Sequence, residues 1–196
     1  MYKVIGKLDT RAFRVLWMLE ELGLDYEHVK AAPRSEEARA HNPAGKVPVL
    51  IVEGQALTDS VAIMQFLADR HGGFTYPCGS VERALQDGFT HFINDELDAV
   101  LWTAARHSFV LPEDKRVPEV KDTLKWEFER SIDELARRMG DGPFLMGERM
   151  TVPDILAAHC GIWAFGAKFP LTNGAFNAYV KRMRGRDAFK RVKALA

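Results

Sequence analysis

The residues whose types and spacing suggest chemistry lie in the stretch Asn42-Pro43-Ala44-Gly45-Lys46-Val47-Pro48-Val49-Leu50-Ile51-Val52, a polar loop running directly into an apolar strand. Proline cannot donate a ladder hydrogen bond, so Pro48 belongs at a strand's first residue, at an edge or at a bulge. A Val47 that keeps its own N–H and C=O unpaired there offers a backbone edge to a peptide-like ligand. A plain trans proline marking a loop-to-strand boundary fits the same letters, and spacing alone leaves both readings open. A second pattern is Met150-Thr151-Val152-Pro153-Asp154-Ile155. Thr151 and Asp154 can exchange hydrogen bonds as a capping box, Met150 can staple onto Ile155, and Pro153 suits a first helical turn. Capping accounts for that pattern without giving the Asp154 carboxylate a catalytic role. Cys78 and Cys160 are far apart and lack metal-ligand spacing, so neither a disulfide scaffold nor a zinc site is expected.

The elements that must position these residues can be read in order. Residues 2–6 form a short first strand, and 7–10 a turn in which Asp9 or Thr10 can cap the next helix. Val15, Leu16, Leu19 and Leu22 recur at helical spacing up to the stop at Gly23, and residues 26–29 make a second strand. Strand, helix and strand in so short a span predict a βαβ unit with parallel strands. A short polar helix over 35–41 follows. Then come a strand over 47–52, a turn at Glu53-Gly54 and a brief antiparallel partner over 55–57. Thr58 and Asp59 can cap a helix carrying Val61, Ile63, Met64, Phe66 and Leu67, which stops at Gly72-Gly73. The first half therefore reads as a thioredoxin-like α/β arrangement. Beyond the linker no strand is evident. Leu85, Phe89, Phe92, Ile93, Leu97 and Leu101 mark one long helix, and Val120 to Met139 a second. Residues 152–163 form an apolar buried one, and two shorter helices lie near 175–183 and 187–195. The predicted division is an N-terminal domain over 1–76, a linker over 77–81 and an all-α helical bundle domain over 82–196.

Composition narrows the class. The 196 residues are 47% hydrophobic, enough for a sizeable core, and 27 basic residues balance 27 acidic ones. That balance argues for no nucleic-acid partner. No apolar run is long enough to span a bilayer, and Lys3, Lys7 and Asp9 interrupt any signal-peptide core, so no membrane partner and a cytoplasmic location are expected.

Four segments in this order resemble the cytosolic glutathione transferase family, in a bacterial serine- or threonine-like form. They are Arg11-Ala12-Phe13-Arg14-Val15-Leu16 with its continuation to Glu27, Asn42 to Leu50, Leu57-Thr58-Asp59-Ser60-Val61-Ala62-Ile63, and Thr151-Val152-Pro153-Asp154-Ile155. The resemblance implies a thioredoxin-like glutathione-binding domain, glutathione as co-substrate with no metal, a small hydrophobic electrophile as second substrate, and a homodimer. It implies that the Val47 backbone, beside a cis Pro48, pairs with the cysteinyl backbone of glutathione like an added strand. Lys46 would face the glycyl carboxylate. Ser60, at a helix N-terminus, would take the γ-glutamyl carboxylate, with Asp59 receiving the ammonium group. The thiolate needs a stabilising donor near the first helix. Family members use Tyr, Ser or Cys, whereas the turn here is Lys7-Leu8-Asp9-Thr10-Arg11, so Thr10 is the catalytic candidate and backbone N–H groups of Arg11 or Ala12 the alternative. Leu8, Trp102, His107 and Phe109 are candidates for the electrophile pocket, each with a structural alternative, and are not assigned. The expected function is conjugation of the glutathione thiolate to hydrophobic electrophiles. The alternatives are a glutathione-dependent isomerase, reductase or peroxidase, and a catalytically silent binding protein of the same fold.

Overall fold

A computed structural model describes all residues, Met1–Ala196. Its strands are β1 (Tyr2–Ile5), β2 (Tyr26–Val29), β3 (Val49–Val52) and β4 (Gln55–Thr58). Its α-helices are α1 (Ala12–Leu22), α2 (Glu36–His41), α3 (Ser60–His71), α4 (Val81–Ile93), α5 (Ala99–Ala105), α6 (Val120–Met139), α7 (Val152–Gly166), α8 (Gly174–Arg184) and α9 (Asp187–Lys193). By contacts the chain divides into two compact units, Met1–Thr75 with Arg184–Ala196, and Tyr76–Met183.

The first unit is thioredoxin-like. Its sheet runs β2-β1-β3-β4, with β1 parallel to β2 and both other pairs antiparallel. The register sets Ile5 opposite Val29 and Val49, and these three residues form a small apolar cluster with Ala31. Helix α1 lies against α3, and every residue from Ala12 to Leu19 is buried. A helix apolar on all sides is one covered on all sides. Part of that cover is α9: Phe189 packs its ring 5.2 Å from Phe13 and 5.0 Å from Trp17. Two ion pairs hold it there, Arg186 to Glu21 through two nitrogens at 2.5 and 2.7 Å, and Arg191 to Glu20 at 2.5 Å. The last thirteen residues thus group with the first unit, although the sequence sets 82–196 together.

The second unit is entirely helical apart from two isolated bridges between residues 144 and 149. The single long helix expected across 85–101 is segmented. α4 passes into a π-helical turn, Asn94–Asp98, then α5, then a second π turn, Arg106–Val110. A π turn adds one residue to a helical turn and so rotates every later side chain by about 100°. The apolar spacing of Leu85 to Leu101 carries no mark of that insertion. Helix α7 is buried along most of its length, and Gly161 lets α8 approach it: a Cβ there would lie 2.6 Å from the Val180 Cγ2 atom.

At the start of α7 the capping box forms as expected. The Asp154 Oδ2 atom accepts from the Thr151 N–H at 2.7 Å, and Oδ1 accepts from the Leu145 N–H at 2.9 Å and the Tyr179 hydroxyl at 3.0 Å. Burial pushes this carboxyl up to about 6, against the opposing pull of the Leu145, Thr151 and Tyr179 hydrogen bonds.

Candidate functional site in the thioredoxin-like unit

The loop before β3 is shaped by Asn42. Its Nδ2 donates to the Lys46 carbonyl at 3.0 Å, and its Oδ1 accepts from the Ala44 N–H at 3.2 Å. The Arg34 N–H fastens the far side of the loop by donating to the Gly45 carbonyl at 2.7 Å. The chain then turns at Val47 and Pro48, and the peptide bond between them is cis. β3 starts one residue later than expected, at Val49, so Pro48 stands just outside the ladder. Val47 is half-buried, and its N–H and C=O take part in neither the β3 pairings nor any turn hydrogen bond of the chain. The backbone edge anticipated from the sequence is therefore present. Lys46 is exposed, and its ammonium group has no ion-pair partner in the chain.

Gly6 brings this edge to α1. It ends β1 with φ +145°, and a Cβ there would lie 2.7 Å from the Ala12 Cβ and 3.1 Å from the Val47 Cβ. The first turn of α1 and the Val47 edge thus meet across a residue that has no side chain. Thr10 lies in the loop turn just before that helix. Its hydroxyl donates to the Lys7 carbonyl at 2.6 Å and accepts from the Ala12 N–H at 3.2 Å. The helix N-cap expected at Asp9 or Thr10 falls at Arg11, which has no side-chain capping bond, and Thr10 satisfies one first-turn amide from a position further out.

On the other side, β4 pairs with β3 so that Thr58 faces Val49, and α3 begins directly after it. Asp59 holds the N-cap with φ +70°, a backbone region that L-residues seldom adopt. Its Oδ1 accepts from the Val61 and Ala62 N–H groups at 2.9 and 3.0 Å, and its carbonyl accepts from Ile63. Asp59 therefore consumes the amides of Val61, Ala62 and Ile63. The Ser60 N–H is left as the first-turn amide without a partner in the chain. At a helix N-terminus such an amide, aided by the helix dipole, favours an anion.

A residue that sequence reasoning passed over completes this end. Arg14 is fully buried in α1, and its Nη1 donates to the Ser60 Oγ atom at 3.3 Å. The available signal was an arginine inside the apolar run Phe13-Arg14-Val15-Leu16. Neither cysteine belongs to the site: Cys78 is exposed beyond the first unit, and Cys160 is buried in α7.

The arrangement is a peptide-pairing edge, an anion-accepting helix start and a hydroxyl-bearing turn, gathered at one end of a thioredoxin-like sheet. Such a site suits an extended peptide with a carboxylate. Residues 10–70 match the family model for the glutathione S-transferase N-terminal domain. The chain is 28% identical over 178 residues to glutathione S-transferase GstA of Escherichia coli O157:H7, a match covering 86% of this chain and 85% of that protein. It is 33% identical over 146 residues to elongation factor 1-gamma of Trypanosoma cruzi, a match covering 71% of this chain but only 33% of that longer protein. A glutathione transferase structure from Methylococcus capsulatus superposes with a TM-score of 0.84 at 26% identity, over 99% of this chain and 98% of that one. Residues 10–70 thus match a glutathione S-transferase N-terminal domain, and the chain is similar to glutathione transferases over most of its length.

Proposed function

We propose that this protein is a serine/threonine-type glutathione transferase, which binds glutathione at the Val47 edge and transfers its thiolate to small hydrophobic electrophiles. The observation that carries the reading is the unpaired Val47 backbone beside Pro48, in contact through Gly6 with the first turn of α1. In this reading the cysteinyl N–H and C=O of glutathione pair with the Val47 backbone. The γ-glutamyl carboxylate accepts from the Ser60 N–H and hydroxyl. Lys46 turns toward the glycyl carboxylate, and the γ-glutamyl ammonium faces Asp59. The thiol proton leaves to solvent and the sulfur stays as thiolate. It then attacks the electrophilic carbon, so that the C–S bond forms as the leaving group departs with its electron pair.

Thr10 is proposed as the sulfur's donor. Its hydroxyl must first release the Lys7 carbonyl, which costs about 1 kcal/mol for a neutral hydrogen bond. That same engagement favours one second reading, a protein that binds glutathione through Val47 and Ser60 without activating it. The assembly proposed is a homodimer, supported by the exposed apolar pair Val81 and Leu85 one turn apart on α4, at 73% and 59% exposure. A cytoplasmic location accords with two cysteines that are both free thiols.

The test is glutathione titration together with turnover of an aryl halide, in the native protein and in Thr10→Val. Losing one preorganised donor to a developing anion lowers turnover by about a hundredfold, with glutathione affinity held within about threefold, a shift of under 1 kcal/mol. Unchanged turnover in the variant moves the donor role to a backbone N–H. Binding without turnover in the native protein establishes the silent reading.

A further inference from the structure

We infer that His28 is a positioning residue for the sulfur end of the site, and that it acts by holding the Gly6 carbonyl, from which the Lys7–Thr10 turn departs. The inference rests on the proposed glutathione reading and adds to it a residue that touches no substrate. His28 lies on β2, opposite Val4 of β1, and the parallel ladder ends one residue further on, at Ile5 and Val29. Beyond that end the Gly6 N–H still donates to the Val29 carbonyl at 2.9 Å. The Gly6 carbonyl takes its hydrogen bond from a side chain instead, with the His28 Nε2 atom at 2.8 Å. A carbonyl carries no proton, so Nε2 is the protonated nitrogen of this ring.

A peptide group is planar, so a bond to the Gly6 carbonyl also sets the direction of the Lys7 N–H and the heading of the chain into the turn. Gly6, at φ +145°, has no Cβ to restrict that heading by itself. The next carbonyl carries the turn. The Lys7 oxygen accepts from the Thr10 N–H at 3.2 Å and from the Thr10 hydroxyl at 2.6 Å, and the Thr10 Oγ1 atom accepts from the Ala12 N–H at 3.2 Å. β2 is thus linked to the start of α1 by successive hydrogen bonds through His28, Gly6, Lys7 and Thr10. His28 is half-buried, so in a variant without a donor water can replace the lost bond. The fold then keeps most of its stability while the Gly6–Lys7 peptide plane gains freedom. A donor to sulfur acts only when it is held in place, so turnover registers that freedom.

The experiment compares His28→Phe, which keeps a ring but has no donor, with His28→Gln, whose side-chain amide can donate to the same carbonyl. In His28→Phe, kcat for an aryl halide falls by about tenfold, KM for glutathione stays within about twofold of native, and the Tm drops by less than about 4 °C. His28→Gln recovers kcat to within about threefold of native. Amide hydrogen exchange at Thr10 and Ala12 is faster in His28→Phe and native-like in His28→Gln. Nitrogen NMR of the native protein shows the neutral His28 ring protonated at Nε2. Native kcat in His28→Phe, or an equal loss in both variants, overturns the inference, as does a neutral ring protonated at Nδ1. A loss carried by KM with kcat unchanged overturns the role at the sulfur end. Where His28→Phe fails to fold, His28→Leu serves and must show the same loss. Failure of the native protein to bind or turn over glutathione refutes the functional reading itself. The exchange rates and the tautomer then still decide whether His28 holds the turn.

Discussion

Replacing Asp154 by alanine tests the energetics of the helical unit with numbers taken from its geometry. The carboxylate accepts from the backbone N–H groups of Leu145 and Thr151, and from the Thr151 and Tyr179 hydroxyls. In the variant the Tyr179 hydroxyl keeps a second acceptor, the residue-154 carbonyl at 3.1 Å, and the Thr151 hydroxyl can rotate. The two buried N–H groups have no such recourse. At about 1–3 kcal/mol for each stranded donor, the variant loses about 4 kcal/mol, against a total stability of about 5–15 kcal/mol for a typical chain. The loss also depends on pH. Burial raises this carboxyl from 3.8 to about 6 in the folded protein. The folded state therefore holds the proton more tightly than the unfolded one. The stability that proton binding contributes is full below pH 3.8 and is lost as pH rises through about 6. Two units at about 1.4 kcal/mol each make that contribution about 3 kcal/mol. Glu134, which Arg137 and Arg138 hold down near 2, has the opposite dependence but is common to both proteins and cancels in the difference. Urea unfolding of native protein and Asp154→Ala should thus show a gap of about 4 kcal/mol at pH 7.5 that widens by up to about 3 kcal/mol at pH 4. A gap that does not change with pH contradicts the buried, proton-hungry carboxyl. A gap under about 1 kcal/mol at both pH values contradicts the stranded-donor argument.

Two further substitutions probe the thioredoxin-like unit. Gly6→Ala adds a Cβ 2.7 Å from the Ala12 Cβ and 3.1 Å from the Val47 Cβ at φ +145°. It should cost about 2–3 kcal/mol in urea unfolding and weaken glutathione binding by displacing the Val47 edge, so native-like affinity would separate that edge from the site. Phe189→Ala removes the ring that packs on Phe13 and Trp17 and should cost about 3 kcal/mol. A loss below about 1 kcal/mol in the same assay would mean that α9 only rests on α1.

The features legible in the sequence are those written in local patterns. The α1 stripe of Val15, Leu16 and Leu19, the hairpin turn at Glu53-Gly54, the Asp59 cap and the Thr151–Asp154 box each occupy a few neighbouring residues, and each is found where it was expected. The Val47-Pro48 edge was legible as an alternative because proline limits the ladder, and the cis isomer found there is the one that the family resemblance implied. What escaped the sequence depends on partners distant along the chain. No local pattern gives Arg14 a partner until α3 brings Ser60 against it, 46 positions later. Phe189 lies in the closing helix expected over 187–195 and Arg186 just before it, and nothing local names their partners Trp17 and Glu21. The π turns are invisible for another reason, since one inserted residue leaves the apolar composition of α4 and α5 unaltered. The Thr10 hydroxyl was legible as a candidate donor, but its bond to the Lys7 carbonyl is a property of the turn's exact path.

The central claim is that glutathione is bound by the backbone of Val47 and the start of α3. A crystal structure of the glutathione complex tests it most directly. The account predicts that the cysteinyl N–H and C=O pair with the Val47 C=O and N–H. It also predicts that the γ-glutamyl carboxylate accepts from the Ser60 N–H and hydroxyl, with the sulfur at the first turn of α1. A complex in which the Val47 backbone is left unpaired, or in which another part of the ligand occupies the Ser60 amide, would contradict it.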